Sequence, residues 1–156
     1  RTTLDLGDVV GESLRMLRPL VGSSVVVETD IDGTYPAIDA DRVQVQQVIL
    51  NLVANASEAM QGRGRITIGA SRVYAARPQS GEPGEFAHLW VQDTGPGVPP
   101  EIRDHIFEPY FTTREFGGGT GLGLSIVHGI ASAHGGWAEV SPSETGARLS
   151  VFFPAA

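Results

Sequence analysis

The chain has 156 residues, a formal net charge of -7 at neutral pH and no cysteine. Its length suits one domain with its own hydrophobic core, and the lack of cysteine excludes disulfides, thiol catalysis and thiolate metal sites. The negative charge argues against binding to nucleic acid or to an anionic membrane surface, and no apolar run reaches the roughly 18 residues of a membrane span.

Apolar residues at helical intervals predict three main helices and one short helix. The first ends at Pro19, and Asp41 is a suitable N-cap for the second, which Gly62 and Gly64 stop. The predicted helices cover residues 8–20, 42–60, 100–106 and 122–134.

Alternating and β-branched segments predict five strands, two of them joined by a polar loop rich in glycine and proline. They cover residues 25–28, 65–74, 86–93, 137–140 and 148–153. Residues 107–120 show no period and are long for a connection, which favours a functional lid. Three main helices and about five or more strands predict a two-layer α+β sandwich in a single domain, residues 1–156. Because the chain opens on Arg1, we expect it to be a fragment of a longer protein.

The second predicted helix carries an unusual polar face. Five amide or carboxylate side chains fall within about 80° of one another, opposite an apolar stripe. They are Gln44, Gln47, Asn51, Asn55 and Glu58. Asparagine is a poor helix former, so two asparagines one turn apart suggest a ligand, although a tolerated polar face is the alternative. An asparagine carbonyl suits a hard cation such as Mg²⁺.

The segment "HLWVQDTGPGVPP" ends a predicted strand with an acid. Alternation places Leu89, Val91 and Asp93 on one face, so the carboxylate is buried and needs a donor. One interpretation is an Asx-turn at Gly95 and Gly97. The other is an acid that accepts a hydrogen bond from a ligand amino group, in a slot that the glycines keep open.

Two further segments could contact an anion. In "IFEPYFTTREF" the aromatic residues would pin a loop to the core, and Arg114 could bind a phosphate bidentately or be solvated. "GGGTGLGLS", residues 117–125, leads into a helix N-terminus, where free N–H groups favour an anion. It matches neither the Walker loop nor the GxGxxG pattern, and a flexible linker is the alternative.

In order, "NLVANASEA", "DTGPGVP", "FEPYFTTR" and "GTGLGLS" resemble the N, G1, F and G2 boxes of sensor histidine kinases. The resemblance covers nearly the whole chain, and "FEPYFTT" and "NASEAM" are most similar to the nitrogen-regulatory type. It implies the Bergerat ATP-binding fold, a mixed sheet backed by three helices. It also implies ATP and Mg²⁺ as ligands.

The resemblance implies roles for individual residues. Asn55 matches the Mg²⁺ ligand and Asn51 its companion, while Asp93 matches the acid that accepts the adenine amino group. Gly95 and Gly97 would leave room for the purine, and Val98 would line its pocket. The other implied nucleotide contacts are Phe107, Phe111, Thr113, Arg114, Gly119, Thr120, Gly121, Leu122, Gly123 and Leu124. Residues 107–118 match the mobile ATP lid, whose full extent we expect at about 98–120.

The sequence also departs from the family pattern. Glu58 stands where many members have a basic side chain for the phosphates, so Arg114 is the preferred cationic partner. Ala147 follows Gly146 where a threonine is common, so a hydroxyl contact to adenine is not expected. Asn51 stands where related ATPases usually have a water-activating glutamate, and an amide cannot act as a general base. This favours phosphoryl transfer over hydrolysis, with Asn51, Asn55 and Arg114 as the catalytic residues.

The family's phosphoryl acceptor is a histidine on a separate dimerisation domain, followed by an acid. His88, His105, His128 and His134 are each followed by a residue other than an acid, so the acceptor is expected outside this chain. His134 is expected to be a charged residue at a helix C-terminus. The expected partners are the dimerisation domain and a response regulator, in the cytoplasm, without nucleic-acid or direct membrane contact. A binding-only module and a water-activating ATPase are the alternatives.

Overall fold

The structure is a computed structural model that describes residues 1–19, 21–31, 37–108, 123–141, 143 and 145–156. The helices are α1 (Leu6–Leu17), α2 (Arg42–Ala59) and α3 (Gly123–Ala133), with a 3₁₀ turn at Pro100–Ile102. The strands are β1 (Thr2–Asp5), β2 (Val25–Ile31), β3 (Ala37–Ala40), β4 (Gly64–Ala76), β5 (Pro83–Gln92), β6 (Trp137–Ser141) and β7 (Arg148–Pro154).

Five strands form one mixed sheet in the order β2-β4-β5-β7-β6. β2 runs parallel to β4, and the other neighbouring pairs are antiparallel. β1 and β3 pair separately as an antiparallel ribbon. The main core lies between one face of the sheet and the three helices, with members from α1, α2, α3, β4, β5 and β7. The predicted two-layer α+β sandwich is confirmed.

Aspartate caps fix where two helices begin. Asp41 Oδ1 accepts hydrogen bonds from the backbone N–H groups of Val43, at 2.9 Å, and Gln44, at 3.3 Å, so the predicted start of α2 is confirmed. The predicted start of α1 was wrong by two residues, because Asp5 is its N-cap. Asp5 Oδ1 accepts the N–H of Gly7 at 2.9 Å, so the helix begins at Leu6 and ends at Leu17, before Pro19.

Left-handed residues end α2 and α3. After α3, Gly135 has a φ of 79°, and Gly136 N donates to Ala131 O at 2.8 Å. This Schellman arrangement satisfies carbonyls that the helix end leaves free. After α2 the corresponding position is Gln61, with a φ of 57°, and the predicted Gly62 follows it with a φ of 74°. Gly62 N then donates to Ser57 O at 2.9 Å.

The short helix predicted over residues 100–106 was wrong. A 3₁₀ turn covers Pro100–Ile102, and the bonds that follow also span three residues, as from His105 N to Ile102 O at 2.9 Å. The prolines at 99 and 100 suit the start of this turn, where the N–H groups that they lack would be unpaired in any case. The short strands β1 and β3 were not predicted, because four residues each with few β-branched side chains carry little signal.

The sheet face turned away from the helices, here named the outer face, carries aromatic side chains. The ring of Trp90 lies so close to Gly69 that a Cβ there would come within 2.0 Å of it. The guanidinium of Arg148 lies over this ring, 4.0 Å from its centroid. Phe86, Trp137 and Phe152 form a second buried cluster. Over β5, β6 and β7 the outer face is thus a packed layer of side chains.

Candidate functional site

Asp93 follows the last residue of β5 and faces the core, with 3% of its surface exposed. Its Oδ1 accepts hydrogen bonds from Gly95 N at 2.9 Å and Ala147 N at 3.1 Å. Burial raises the pKa of the carboxyl, and these two backbone donors partly offset that increase. Within the described ranges no group donates to Oδ2. The Asx-turn therefore exists and leaves one oxygen of a buried carboxylate for a further donor.

Glycine backbone forms the walls around Asp93. A Cβ on Gly95 would lie 3.2 Å from Ala59 O, and one on Gly97 would lie 3.0 Å from Gly146 O. Gly146 has a φ of 65°, and a Cβ there would meet Asp93 O at 2.0 Å. Larger residues would push these segments apart, so the glycines keep the carboxylate in a narrow slot. Val98, predicted to line the pocket, is half-buried and packs against the core.

Position 147 contributes backbone to the site. Ala147 is buried, its N–H donates to Asp93 Oδ1, and its carbonyl accepts Asp93 N at 2.9 Å. A residue of any type except proline could supply these two groups. Alanine in place of the common threonine therefore preserves both hydrogen bonds between residue 147 and Asp93.

The polar face of α2 places Asn51 beside the start of α3, with Asn55 one turn further along α2. Asn51 and Asn55 are half-buried, whereas the other three members of the face are exposed. The Nδ2 atom of Asn51 is fully buried and lacks a hydrogen-bond partner in the described part of the chain. A Cβ on Gly123 would lie 3.9 Å from Asn51 Oδ1. A buried, unpaired amide is costly, which favours the ligand interpretation of this face.

α3 begins at Gly123, and its first turn holds no acidic residue. The N–H groups in the first turn of a helix favour an anion. Leu124 is half-buried against the core. Phe111, Thr113, Arg114, Gly119, Thr120, Gly121 and Leu122 lie outside the described residues. Of the predicted lid, about 98–120, the structure describes residues 98–108, in which Phe107 packs against the core.

His134 differs from its expected role. The residue is buried, its Nδ1 lies 2.8 Å from Ile130 O, and its Nε2 lies 3.3 Å from the backbone N of Asp41. An N–H group can only donate, so Nε2 accepts and Nδ1 carries the proton. The ring is therefore neutral and ties the end of α3 to the N-cap of α2. Sequence reasoning missed this contact, and its one signal was the position of the histidine between an apolar helix and two glycines.

The remaining histidines lie away from Asp93 and Asn51. His88 lies on the outer face, where its Nε2 is 2.8 Å from Ser150 Oγ and its ring stacks on Phe152. His105 pairs with Glu108 at 2.9 Å, which raises the pKa of the imidazole. His128 is exposed on α3.

Comparison with known proteins identifies the class to which this fold and site belong. Residues 40–156 match the family described as histidine kinase-, DNA gyrase B- and HSP90-like ATPases. The chain is 36% identical to sensor kinase CckA of Brucella abortus, covering 97% of this chain and 17% of that protein. It is 37% identical to the sensory histidine kinase/phosphatase NtrB of Rhodobacter capsulatus, covering 95% of this chain and 42% of that protein.

Solved structures give the same result. The nucleotide-free catalytic domain of histidine kinase ThkA superposes with a TM-score of 0.80 at 29% identity, covering 99% of this chain and 97% of that one. A mycobacterial sensor histidine kinase, MprB, gives 0.79 at 26% identity, covering 98% and 96%. The chain belongs to the histidine kinase-, gyrase- and HSP90-like ATPase family, and its curated relatives are sensor histidine kinases. It spans less than half the length of those two relatives. In the ranges described here, no helix is long and apolar enough to cross a membrane.

Proposed function

We propose that this chain binds Mg-ATP and donates its γ-phosphoryl group to a histidine on a separate dimerisation domain. The observation that carries the proposal is the state of Asp93. Its Oδ1 is held by Gly95 and Ala147, while no donor among the described residues reaches Oδ2. The second oxygen of this largely buried carboxylate, in a glycine-walled slot, suits one amino hydrogen of a planar ring. We assign this oxygen to the adenine amino group, with Gly95, Gly97 and Val98 around the ring.

The magnesium site would use the polar face of α2. In the described ranges no three His, Asp or Glu side chains form a metal-binding group. Asn55 would instead supply a carboxamide oxygen beside phosphate oxygens and water, which suits a magnesium ion. When bound, the ion would neutralise charge on the transferring phosphoryl group. The unpaired Nδ2 of Asn51 supports a phosphate oxygen or a water of this ion as its acceptor.

The phosphates would lie at the start of α3, where the N–H groups of the first turn and the helix dipole attract anions. Of the residues expected to contact the phosphates, Gly123 and Leu124 lie in the described part of α3. The same site would include Gly119, Thr120, Gly121 and Leu122, with Phe107, Phe111, Thr113 and Arg114 from the lid. Arg114 would neutralise developing charge, because Glu58 occupies the position expected to be basic.

In the proposed transfer a bond forms between an imidazole nitrogen and the γ-phosphorus as the bond to the bridging oxygen breaks. ADP leaves with that electron pair, and the imidazole releases its proton. Asn51 would position groups and not remove a proton from water, since an amide is no base at neutral pH. The protein would act mainly by orienting the reactants and neutralising charge.

The proposal implies partners beyond this chain. The acceptor histidine would belong to a dimerisation domain of the same parent protein, and the phosphoryl group would pass on to a response regulator. One of the similar solved structures is histidine kinase ThkA in complex with response regulator protein TrrA. We place the domain in the cytoplasm, where ATP is available, without direct contact with the membrane or nucleic acid.

The test combines ATP titration with a transfer assay on the parent protein. Titration with and without Mg²⁺ compares the wild type with Asp93→Asn and Asn55→Ala. We expect Asp93→Asn to weaken ATP binding by about 10- to 100-fold or more, and Asn55→Ala to remove mainly its Mg²⁺ dependence. ATP labelled in the γ-phosphate should label the acceptor histidine of the wild-type parent. Unchanged affinity in both variants would refute the assignment.

The transfer assay also separates the alternatives. Tight ATP binding without labelling of the acceptor would identify a binding-only module. Continuous phosphate release by this chain alone would identify a water-activating ATPase.

A further inference from the structure

Gln92 lies next to Asp93 but faces the outer side of the sheet. Its Nε2 group donates to Thr145 O at 2.6 Å and Ser143 Oγ at 2.7 Å. A third acceptor, Asp93 O, lies at 3.2 Å. An amide NH₂ has two hydrogens, so the two short contacts define its orientation. One side chain thus fastens the segment before β7 to the end of β5.

Residues 145–147, here the 145–147 segment, continue from this contact into the slot around Asp93. Gly146 packs so closely that a Cβ there would meet Asp93 O at 2.0 Å. Ala147 N donates to Asp93 Oδ1 at 3.1 Å. Displacement of Thr145 would therefore move the donor that orients the carboxylate. Gln92, which lies on the opposite face of the sheet from the Asp93 side chain, therefore influences the position of that carboxylate through the 145–147 segment.

The outer face holds Gln92 itself in place. Arg148 Nε donates to Gln92 Oε1 at 2.9 Å, which determines which end of the amide carries the NH₂. The Arg148 guanidinium in turn lies over the Trp90 ring, and this ring packs closely against Gly69. Gly69 restricts the Trp90 ring, the ring restricts Arg148, and Arg148 restricts the Gln92 amide. The Nε2 hydrogens are therefore directed at the 145–147 segment.

We propose that Gln92 is a positioning residue that sets selectivity for the purine amino group by holding the 145–147 segment against Asp93. The inference rests on the proposed function, in which Asp93 Oδ2 receives that amino group. Gln92 does not touch the nucleotide. Its loss should therefore weaken the contact at the amino group and leave the phosphate contacts unchanged.

The test measures the affinities for ATP and for purine riboside triphosphate, which has hydrogen in place of the amino group. Gln92→Met removes every hydrogen bond at similar volume. Gln92→Glu keeps an oxygen for Arg148 and removes only the Nε2 donors. His88→Gln is the control, since residue 88 lies on the same strand and face and its hydrogen bond goes to Ser150 instead.

Both Gln92 variants should lower ATP affinity by about three- to tenfold, the effect of one or two lost hydrogen bonds. Their affinity for purine riboside triphosphate should change by about twofold or less, and His88→Gln should match the wild type with both nucleotides. Equal losses with both nucleotides would show a merely structural role and overturn the inference. Wild-type ATP affinity in Gln92→Glu would overturn it as well.

A second measurement needs no nucleotide. Hydrogen exchange at the Ala147 amide should be about three- to tenfold faster in Gln92→Glu than in His88→Gln, because the 145–147 segment opens more readily. An unchanged rate would overturn the positioning role. A wild type that binds both nucleotides equally would instead refute the assignment of Asp93 in the proposed function, and the exchange rate would still decide what Gln92 does.

Discussion

Asp93 Oδ1 lies 3.1 Å from the backbone N of Ala147, although the two residues are 54 positions apart in sequence. Together with Gly95 N this donor occupies one carboxylate oxygen and directs the other away from the turn. Since no other described group donates to this carboxylate, its second oxygen can accept a further hydrogen bond. The contribution of Asp93 to nucleotide binding and its cost in folding stability can be measured separately.

The first prediction concerns Asp93→Asn. The Oδ1 of asparagine can keep both backbone hydrogen bonds. Its NH₂ group, however, would face the adenine amino group, from which Oδ2 of the aspartate would accept a hydrogen bond in the proposed site. ATP affinity should fall by about 10- to 100-fold or more, as expected for a lost hydrogen bond to a charged group. Calorimetric titration measures it.

The same variant should be at least as stable as the wild type without nucleotide. Burial raises the pKa of Asp93 in the folded state, so the folded protein binds the proton more readily than the unfolded chain. Ionisation therefore costs stability as the pH rises through this pKa, and asparagine has no such cost. A lower melting temperature of the ligand-free variant at neutral pH would contradict this view.

The second prediction concerns Asn51→Leu. The change replaces the unpaired, buried Nδ2 by apolar atoms of similar volume, so the free energy of unfolding without nucleotide should rise by about 1–2 kcal/mol. Phosphoryl transfer by the parent protein should fall more than about tenfold, since the proposed site loses one polar group at the phosphates. Urea unfolding and the transfer assay measure the two effects.

Gln47→Leu, one turn earlier on the same face, is the matched control. Gln47 is exposed, so its replacement should change stability by less than about 0.5 kcal/mol and leave transfer intact. Equal effects of the two substitutions would show that the buried amide has no special role.

Local chemistry predicted those parts of the fold that depend on neighbouring residues. The Asp41 cap and the alternation that buries Asp93 act over a few residues, and the structure confirms both. The segments that resemble the N, G1, F and G2 boxes indicated the family without any knowledge of the geometry. At Gln61 even a local feature was missed, because glutamine gives no signal of a left-handed conformation.

Long-range contacts explain the rest of what sequence reasoning missed. The partner of His134 at Asp41 is 93 residues away, and the contacts of Gln92 with Ser143 and Thr145 span more than 50 residues. The pattern around His134 is compatible with a charged helix end as well as with a neutral buried tether. The hydrogen bond from the Asp41 backbone N–H to His134 Nε2, which forms only in the folded chain, distinguishes these two roles.

The third prediction is a loss of stability in acid that depends on His88. Burial, and secondarily the charge of Arg148, lower the pKa of this imidazole to about 4 from 6.5. Between these values the unfolded chain binds a proton that the folded protein does not, so stability falls as the pH decreases through this window. His88→Gln, which can still bond Ser150, should flatten this part of the curve of unfolding free energy against pH. A curve as steep as that of the wild type would place the acid sensitivity elsewhere.

The fourth prediction concerns Gln61, the left-handed residue that ends α2. Its φ of 57° costs energy for any residue with a Cβ, and its side chain is exposed. Gln61→Gly should therefore raise the free energy of unfolding by about 0.5–1 kcal/mol. Gln61→Ala, which keeps the Cβ, should bring no gain. Urea unfolding of both variants measures the difference, and an equal gain from alanine would mean that the side chain, not the backbone conformation, limits stability here.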